Sequence, residues 1–211
     1  MSGHREPVGE VPETRIKYKD VFSLKNLYIM MHELLMEEGW VGLGTGGNVK
    51  GYEMHADIET LYSENVYQKG VHSGGKEMWV WWRTHKIGIG EFSGYFEKRM
   101  DIDWHLSYGQ DVEAIHQGKK VKVQSGELEM FFRGEILGDK DGTWGRHPVL
   151  KHFQDIYEKR IMSQDIDKME KDLWRDIYRI SSKMKAFLNM RTFLPISKEF
   201  HPMLYGAEGE F

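Results

Sequence analysis

The segment PVLKHFQDIYEKRIMSQDIDKMEKDLWRDIYRISSKMKAFLNM, Pro148–Met190, decides the fold. Proline suits the first position of a helix, where its missing N–H would be unpaired in any case, so a helix is expected to begin at Pro148. Apolar residues recur at Val149, Phe153, Ile156, Tyr157 and Ile161, then at Ile166, Met169, Leu173, Ile177, Ile180, Met184 and Phe187. Steps of three and four place such residues in a stripe along one helical face. The other face carries Glu158, Lys159, Lys168, Lys171, Asp172, Arg175, Asp176 and Arg179, the pattern of a helix that covers something else. Unbroken, a helix over 148–190 would be roughly 64 Å long, whereas a chain of this length packs into a globule about 43 Å across. Either the helix breaks at the polar Ser163-Gln164-Asp165, or one half projects toward another chain. The half from Ile166 to Phe187 steps close to a heptad, which suits a partner helix.

What this helix would cover is written upstream. From Tyr52 to Leu137 the apolar period is two and the interruptions carry glycine, as in an antiparallel meander. Strands are expected over Gly51–Ile58, Asn65–Val71, Glu77–Ile87, Glu91–Ser107, Asp111–His116, Lys120–Gln124 and Glu127–Leu137. Turns are expected at Ser73-Gly74-Gly75, Gly88–Gly90, Tyr108-Gly109, Gln117-Gly118 and Ser125-Gly126. In the last strand Leu128, Met130, Phe132 and Ile136 share one face and Glu127, Glu129, Arg133 and Glu135 the other, so the sheet is covered on one side. The fold class is therefore α+β: an antiparallel sheet of about six to seven strands packed against a short N-terminal helix and a long C-terminal helix.

That short helix follows a strand expected over Thr14–Val21. Ser23 is its N-cap, Phe22 and Leu27 form a hydrophobic staple, and Gly39 is its left-handed end. Residues 1–13 read as a flexible arm, 14–190 as one domain with its sheet over 51–137, and 191–211 as a docking tail carrying Phe193, Leu194, Phe200, Met203, Leu204 and Tyr205. The glycine-rich GLGTGGNVKG run, 42–51, is a connection rather than a dinucleotide fingerprint, because a helix precedes it and an extended segment follows.

The order strand, helix, meander, long helix resembles the helix-grip arrangement of the START and Bet v 1-like proteins. The resemblance lies in element order. It implies a sheet curved around the final helix and an apolar cavity lined by Trp104, Met130, Phe132 and the helix stripe, able to hold a small hydrophobic ligand.

Composition narrows the function classes. With 29 basic and 33 acidic residues the formal charge is −4, which argues against a broad grip on nucleic acid. The absence of cysteine removes disulfides, thiol nucleophiles and thiolate metal sites. The polar N-terminus and the lack of a long apolar run point to a cytoplasmic chain with no membrane span. Thirteen methionines and 27 aromatic residues supply large, adaptable packing surfaces for a core or an interface. Together with a helix too long for the globule, they point to a homo-oligomer or a protein partner.

Two constellations carry candidate chemistry. In Met100–Leu106, strand alternation sets Met100, Ile102, Trp104 and Leu106 against Asp101, Asp103 and His105. The polar trio is the candidate for a metal- or acid/base-dependent enzyme, although residues about 6.6–6.8 Å apart along one strand chelate a single ion poorly. In Met78–His85, Trp79, Trp81 and Arg83 face away from Met78, Val80 and Trp82, a candidate partner surface. The helix stripe Ile166, Met169, Leu173, Ile177, Ile180, Met184 and Phe187 is a second. No cofactor or metal is expected. The reading as a whole is a non-enzymatic intracellular assembly module that self-associates through its long helix, aromatic strand and tail.

Overall fold

The structure, a computed structural model, describes residues 7–42, 58–71, 73–87, 94–116 and 119–190. Most of the glycine-rich run, the expected strand over 51–57, the turn at 88–90, the reversal at 117–118 and the tail 191–211 lie outside those residues. Strands β1 (Gly9–Phe22), β2 (Val41–Gly42), β3 (Glu59–Val66), β4 (Lys76–Ile87), β5 (Glu97–His116) and β6 (Lys119–Leu137) form one open antiparallel sheet. Its order is β1-β6-β5-β4, with β2 and β3 both on the remaining edge of β4, against Thr84–His85 and Lys76–Trp82 respectively. The class is α+β, as the alternation and helix periodicity require.

Strand limits differ from the sequence reading in instructive ways. Strand β1 starts at Gly9, inside the segment read as an arm, because Val11 is buried and 9–11 pair with 134–136 of β6. The glycines at 109 and 126 mark no reversals. They lie inside β5 and β6, opposite the register shift between Ser107 and Gln110. A Cβ at Gly126 would stand 3.0 Å from the Ser107 carbonyl oxygen and 3.1 Å from the Gly109 Cα, so these residues let two strands cross a bulge closely. Tyr108 takes a positive φ of 56° at the same place. Four expected strands are therefore two long ones. Beyond the reach of β1 at Gln124 and of β4 at Gly109, they continue as a two-stranded ribbon from Asp111–Gln124 to His116–Lys119.

Helix α1 (Leu24–Glu37) begins where its sequence says. The Ser23 side chain accepts from the Asn26 amide at 3.4 Å, and Gly39 follows the end with φ 79°. The segment after the sheet is not one helix. A short turn α2 (Thr143–Arg146) precedes α3 (Leu150–Ile156), a π-turn (Tyr157–Ile161) and α4 (Ser163–Phe187). Pro148 lies in a turn ahead of α3. The break falls at Met162, one residue before the polar tripeptide, where the Met162 amide reaches back five residues to the Tyr157 carbonyl.

Helices α1 and α4 lie on one face of the sheet. Inner-face residues Val80, Trp82, Met100, Ile102, Trp104, Leu128, Met130, Phe132 and Ile136 are all buried. Tyr28 of α1 packs edge-on to Trp82 with centroids 4.8 Å apart, and Trp82 meets Trp104 at 5.0 Å. From α4, Ile166, Leu173, Ile177, Ile180 and Met184 enter the same core. The sequence reading gave these five as a ligand or partner surface, and in the structure they face the chain's own sheet. Of the remaining stripe, Met169 is half-buried and Phe187 exposed.

Leu173 and Ile177 lie directly over Gly134. A Cβ there would stand 2.8 Å from Ile177 Cδ1 and 3.0 Å from Leu173 Cδ2. Gly134→Ala is expected to lower stability by about 1–3 kcal/mol, because the overpacked helix must lift or twist. Urea denaturation checks it: the midpoint falls while the slope stays constant.

Candidate interaction surfaces

The outer face of the sheet brings most of the remaining candidates together. Register aligns Trp79 with His105, Trp81 with Asp103 and Arg83 with Asp101, and β6 adds Glu129, Phe131 and Arg133 beside them. Trp79 and Trp81 stack with centroids 5.9 Å apart, and His105 stacks on Trp79 at 3.7 Å. Arg15 of β1 lies over the Phe131 ring at 5.3 Å. Leu61 of β3, opposite Trp81, is 58% exposed.

The polar trio sits on this face as expected, but its members are bound to different partners. Arg83 holds Asp101 at 3.2 Å and Asp103 at 2.6 Å, and Arg133 pairs with Asp103 from the opposite side. Burial lifts the Asp101 carboxyl above the usual range, and the Arg83 charge pulls it partly back. His105 Nε2 contacts both Glu77, at 3.0 Å, and Ser107, at 3.1 Å. The bond to His105 holds the Glu77 carboxyl below its usual range. A nucleophilic relay needs hydroxyl and carboxylate on opposite ring nitrogens. Here both share one, so the ring is braced rather than set to move a proton from serine to glutamate. Among the described residues no three His, Asp or Glu side chains converge as a metal site.

A buried polar cluster at the end of the sheet escaped the sequence reading. The Tyr95 hydroxyl donates to Glu158 at 2.6 Å, and Gln154 donates to the Tyr95 oxygen at 3.2 Å and to Asp139 at 3.3 Å. Asp139 accepts from the Trp144 and Gly145 amides at 3.0 and 2.8 Å, tying α2 to the sheet. Burial alone would raise the Asp139 carboxyl. The bonds from Gly145 and Trp144 outweigh it and hold the group below its usual range. Trp144 and Tyr157 roof the cluster against the Tyr95 ring. In sequence, Asp139-Lys140-Asp141-Gly142 reads as a plain turn.

The same cluster turns α3 inside out. Gln154 and Glu158 are 8% and 5% exposed, whereas Val149, Phe153, Ile156 and Ile161, expected in the buried stripe, are 55%, 54%, 49% and 65% exposed. The periodicity was right in spacing and wrong in direction. The Tyr95 hydroxyl and the Asp139 carboxylate outcompete an apolar stripe for the inward side, since a buried acceptor without a donor costs about 1–3 kcal/mol.

Comparison with protein-family models, with curated proteins and with solved structures finds no match. Among the described residues no helix is long and apolar enough to cross a membrane.

Tyr95→Phe removes a donor from Glu158 and an acceptor from Gln154 inside the cluster. A loss of about 1–3 kcal/mol is expected. Tyr62→Phe, whose hydroxyl bonds Glu64 at an exposed site, is the matched control and is expected to cost under about 0.5 kcal/mol. Thermal unfolding of the two variants in parallel checks the difference.

Proposed function

We propose that the chain is a non-enzymatic interaction module that self-associates, and that the outer face of its sheet is the contact. The observation that supports this reading is that, among the described residues, the helices cover one face of the sheet. Every described contact of α1 and α4 with the sheet falls on inner-face residues, while Trp79, Trp81, Leu61 and Phe131 lie together on the other face. Half-buried aromatic side chains at the centre of a polar rim are the usual anchors of a protein interface. The face also carries both signs of charge, with Arg15, Lys17, Arg83 and Arg133 interleaved with Glu77, Asp101, Asp103 and Glu129. A copy rotated by a two-fold axis meets opposite charge at many such positions, and sheets pack face to face in this manner. Light scattering at micromolar concentration is expected to give a dimer or larger particle. Trp79→Ser with Trp81→Ser is expected to shift it to monomer with the melting temperature little changed. A monomeric parent protein would sink the proposal.

A second reading, a carrier for a small hydrophobic ligand between sheet and helices, draws on a different observation. Trp40, Trp82 and Trp104 are fully buried, and among the described residues none of their indole N–H groups has an acceptor. Such donors normally find one when buried. A ligand carbonyl or hydroxyl beside Trp82 and Trp104 would satisfy two of them. Native mass spectrometry of the purified chain is expected to show a bound small molecule that organic solvent removes, and a bare polypeptide mass would end this reading.

A further inference from the structure

The exposed stripe on α3 is a separate surface, and its orientation is fixed from beneath. Gln154 and Glu158 bind it to Tyr95 and Asp139 by its polar side, so Val149, Phe153 and Ile156 face outward. The π-turn extends the same line. In a continued α-helix Ile161 would stand about 140° around the axis from Ile156. A turn closed by an i to i+5 bond brings it back toward that side, and Glu158, four residues after Gln154, shares the buried face. The result is a ridge of apolar side chains along α3 and the π-turn.

Most of the charges around this ridge are positive, and the exception, Asp155, lies 3.9 Å from Lys159. Between 146 and 161 the exposed ionic side chains are Arg146, Lys151, Lys159 and Arg160 against Asp155 alone, with His147 and His152 exposed beside them. The other acidic group, Glu158, is buried. This is a local surplus of cations in a chain of net charge −4. A second copy seated here by two-fold symmetry would bring these cations against their own kind, a costly juxtaposition. A convex ridge of one helix also offers no groove to a partner helix. An anionic lipid surface meets both features, since its headgroups face the cations and its acyl boundary takes a half-immersed apolar side without a preformed pocket.

We infer that α3 and the π-turn form a peripheral docking ridge for anionic phospholipid membranes, with Phe153, Ile156 and Ile161 inserting at the interface and Lys159, Arg160 and Lys151 meeting headgroups. This goes beyond the self-association reading and does not depend on it, because the tryptophan face and the ridge are different surfaces.

The test is flotation of the full chain with vesicles. Partition onto phosphatidylcholine–phosphatidylserine vesicles, and not onto phosphatidylcholine alone, is expected, and it weakens as salt is added. Lys159→Glu with Arg160→Glu is expected to lower partition roughly fivefold or more per cation. Phe153→Asp with Ile156→Asp is expected to abolish it, with circular dichroism and melting unchanged because both side chains already face solvent. Three outcomes would overturn the inference: no partition onto anionic vesicles, partition that either pair of substitutions leaves intact, or light scattering in which the Phe153/Ile156 pair alone converts a dimer to monomer. The last assigns the ridge to a second copy.

Discussion

Leu173 and Ile177 rest on a strand position with no side chain, Gly134, and that contact sets how deeply α4 lies on the sheet. With the helix at this depth, Ile180 and Met184 reach the core that α1 enters from its own side with Leu27, Met31, Leu34 and Leu35. The two helices are joined at the rim by Arg179 of α4, which bonds Glu38 at 2.5 Å and Asp176 at 2.8 Å. Lys86, on the inner face at its margin, meets Asp176 at 3.4 Å, and burial holds the neighbouring Lys98 amine below its ordinary range. A sheet with one face so occupied leaves its polar alternation, and its two stacked tryptophans, on the other. The architecture thus produces an outer surface as a direct consequence of how the inner one is filled.

At the end of the sheet a different balance operates. Apolar burial stabilises at about 25 cal/mol per Å² whichever way a helix faces, provided something apolar lies beneath it. Beneath α3 lie a phenol and a carboxylate instead. The helix turns its amide and carboxyl side chains to them, since Gln154 and Glu158, four residues apart, share one helical face, and the π-turn follows from Tyr157. Inserted π-turns of this kind commonly accompany functional positions.

The sheet and the helix α1 were legible because their signals are local. Two-residue alternation fixes which face of β5 holds Met100, Ile102, Trp104 and Leu106, and a serine cap fixes where α1 starts. Strand ends were harder to read, since glycine is as useful inside a bulge as at a turn, and only pairing partners distinguish the roles of Gly109 and Gly126. Spacing in Pro148–Ile161 gave a stripe without saying whether an apolar or a polar surface lay below it. Tyr95 and Asp139 come from loops bordering the sheet, and nothing in the α3 sequence names them. On the outer face, parity sorted Trp79, Trp81 and Arg83 to one side of their strand and Asp101, Asp103 and His105 to one side of theirs, without joining the two sets. Their pairings with Glu77, Arg133 and Phe131 depend on registers that one strand's sequence does not encode.

Among the described residues the ribbon formed by the far ends of β5 and β6 has a strand paired on neither side, and its Ile115 is 78% exposed. Two strands without a third, or a helix behind them, are marginal in water. Their amides should therefore trade hydrogen for deuterium long before those of the tryptophan-lined centre, making this the first part of the sheet to open. For the engineer it is a spur on which a reporter or an affinity peptide can be grafted with little disturbance to the body it leaves.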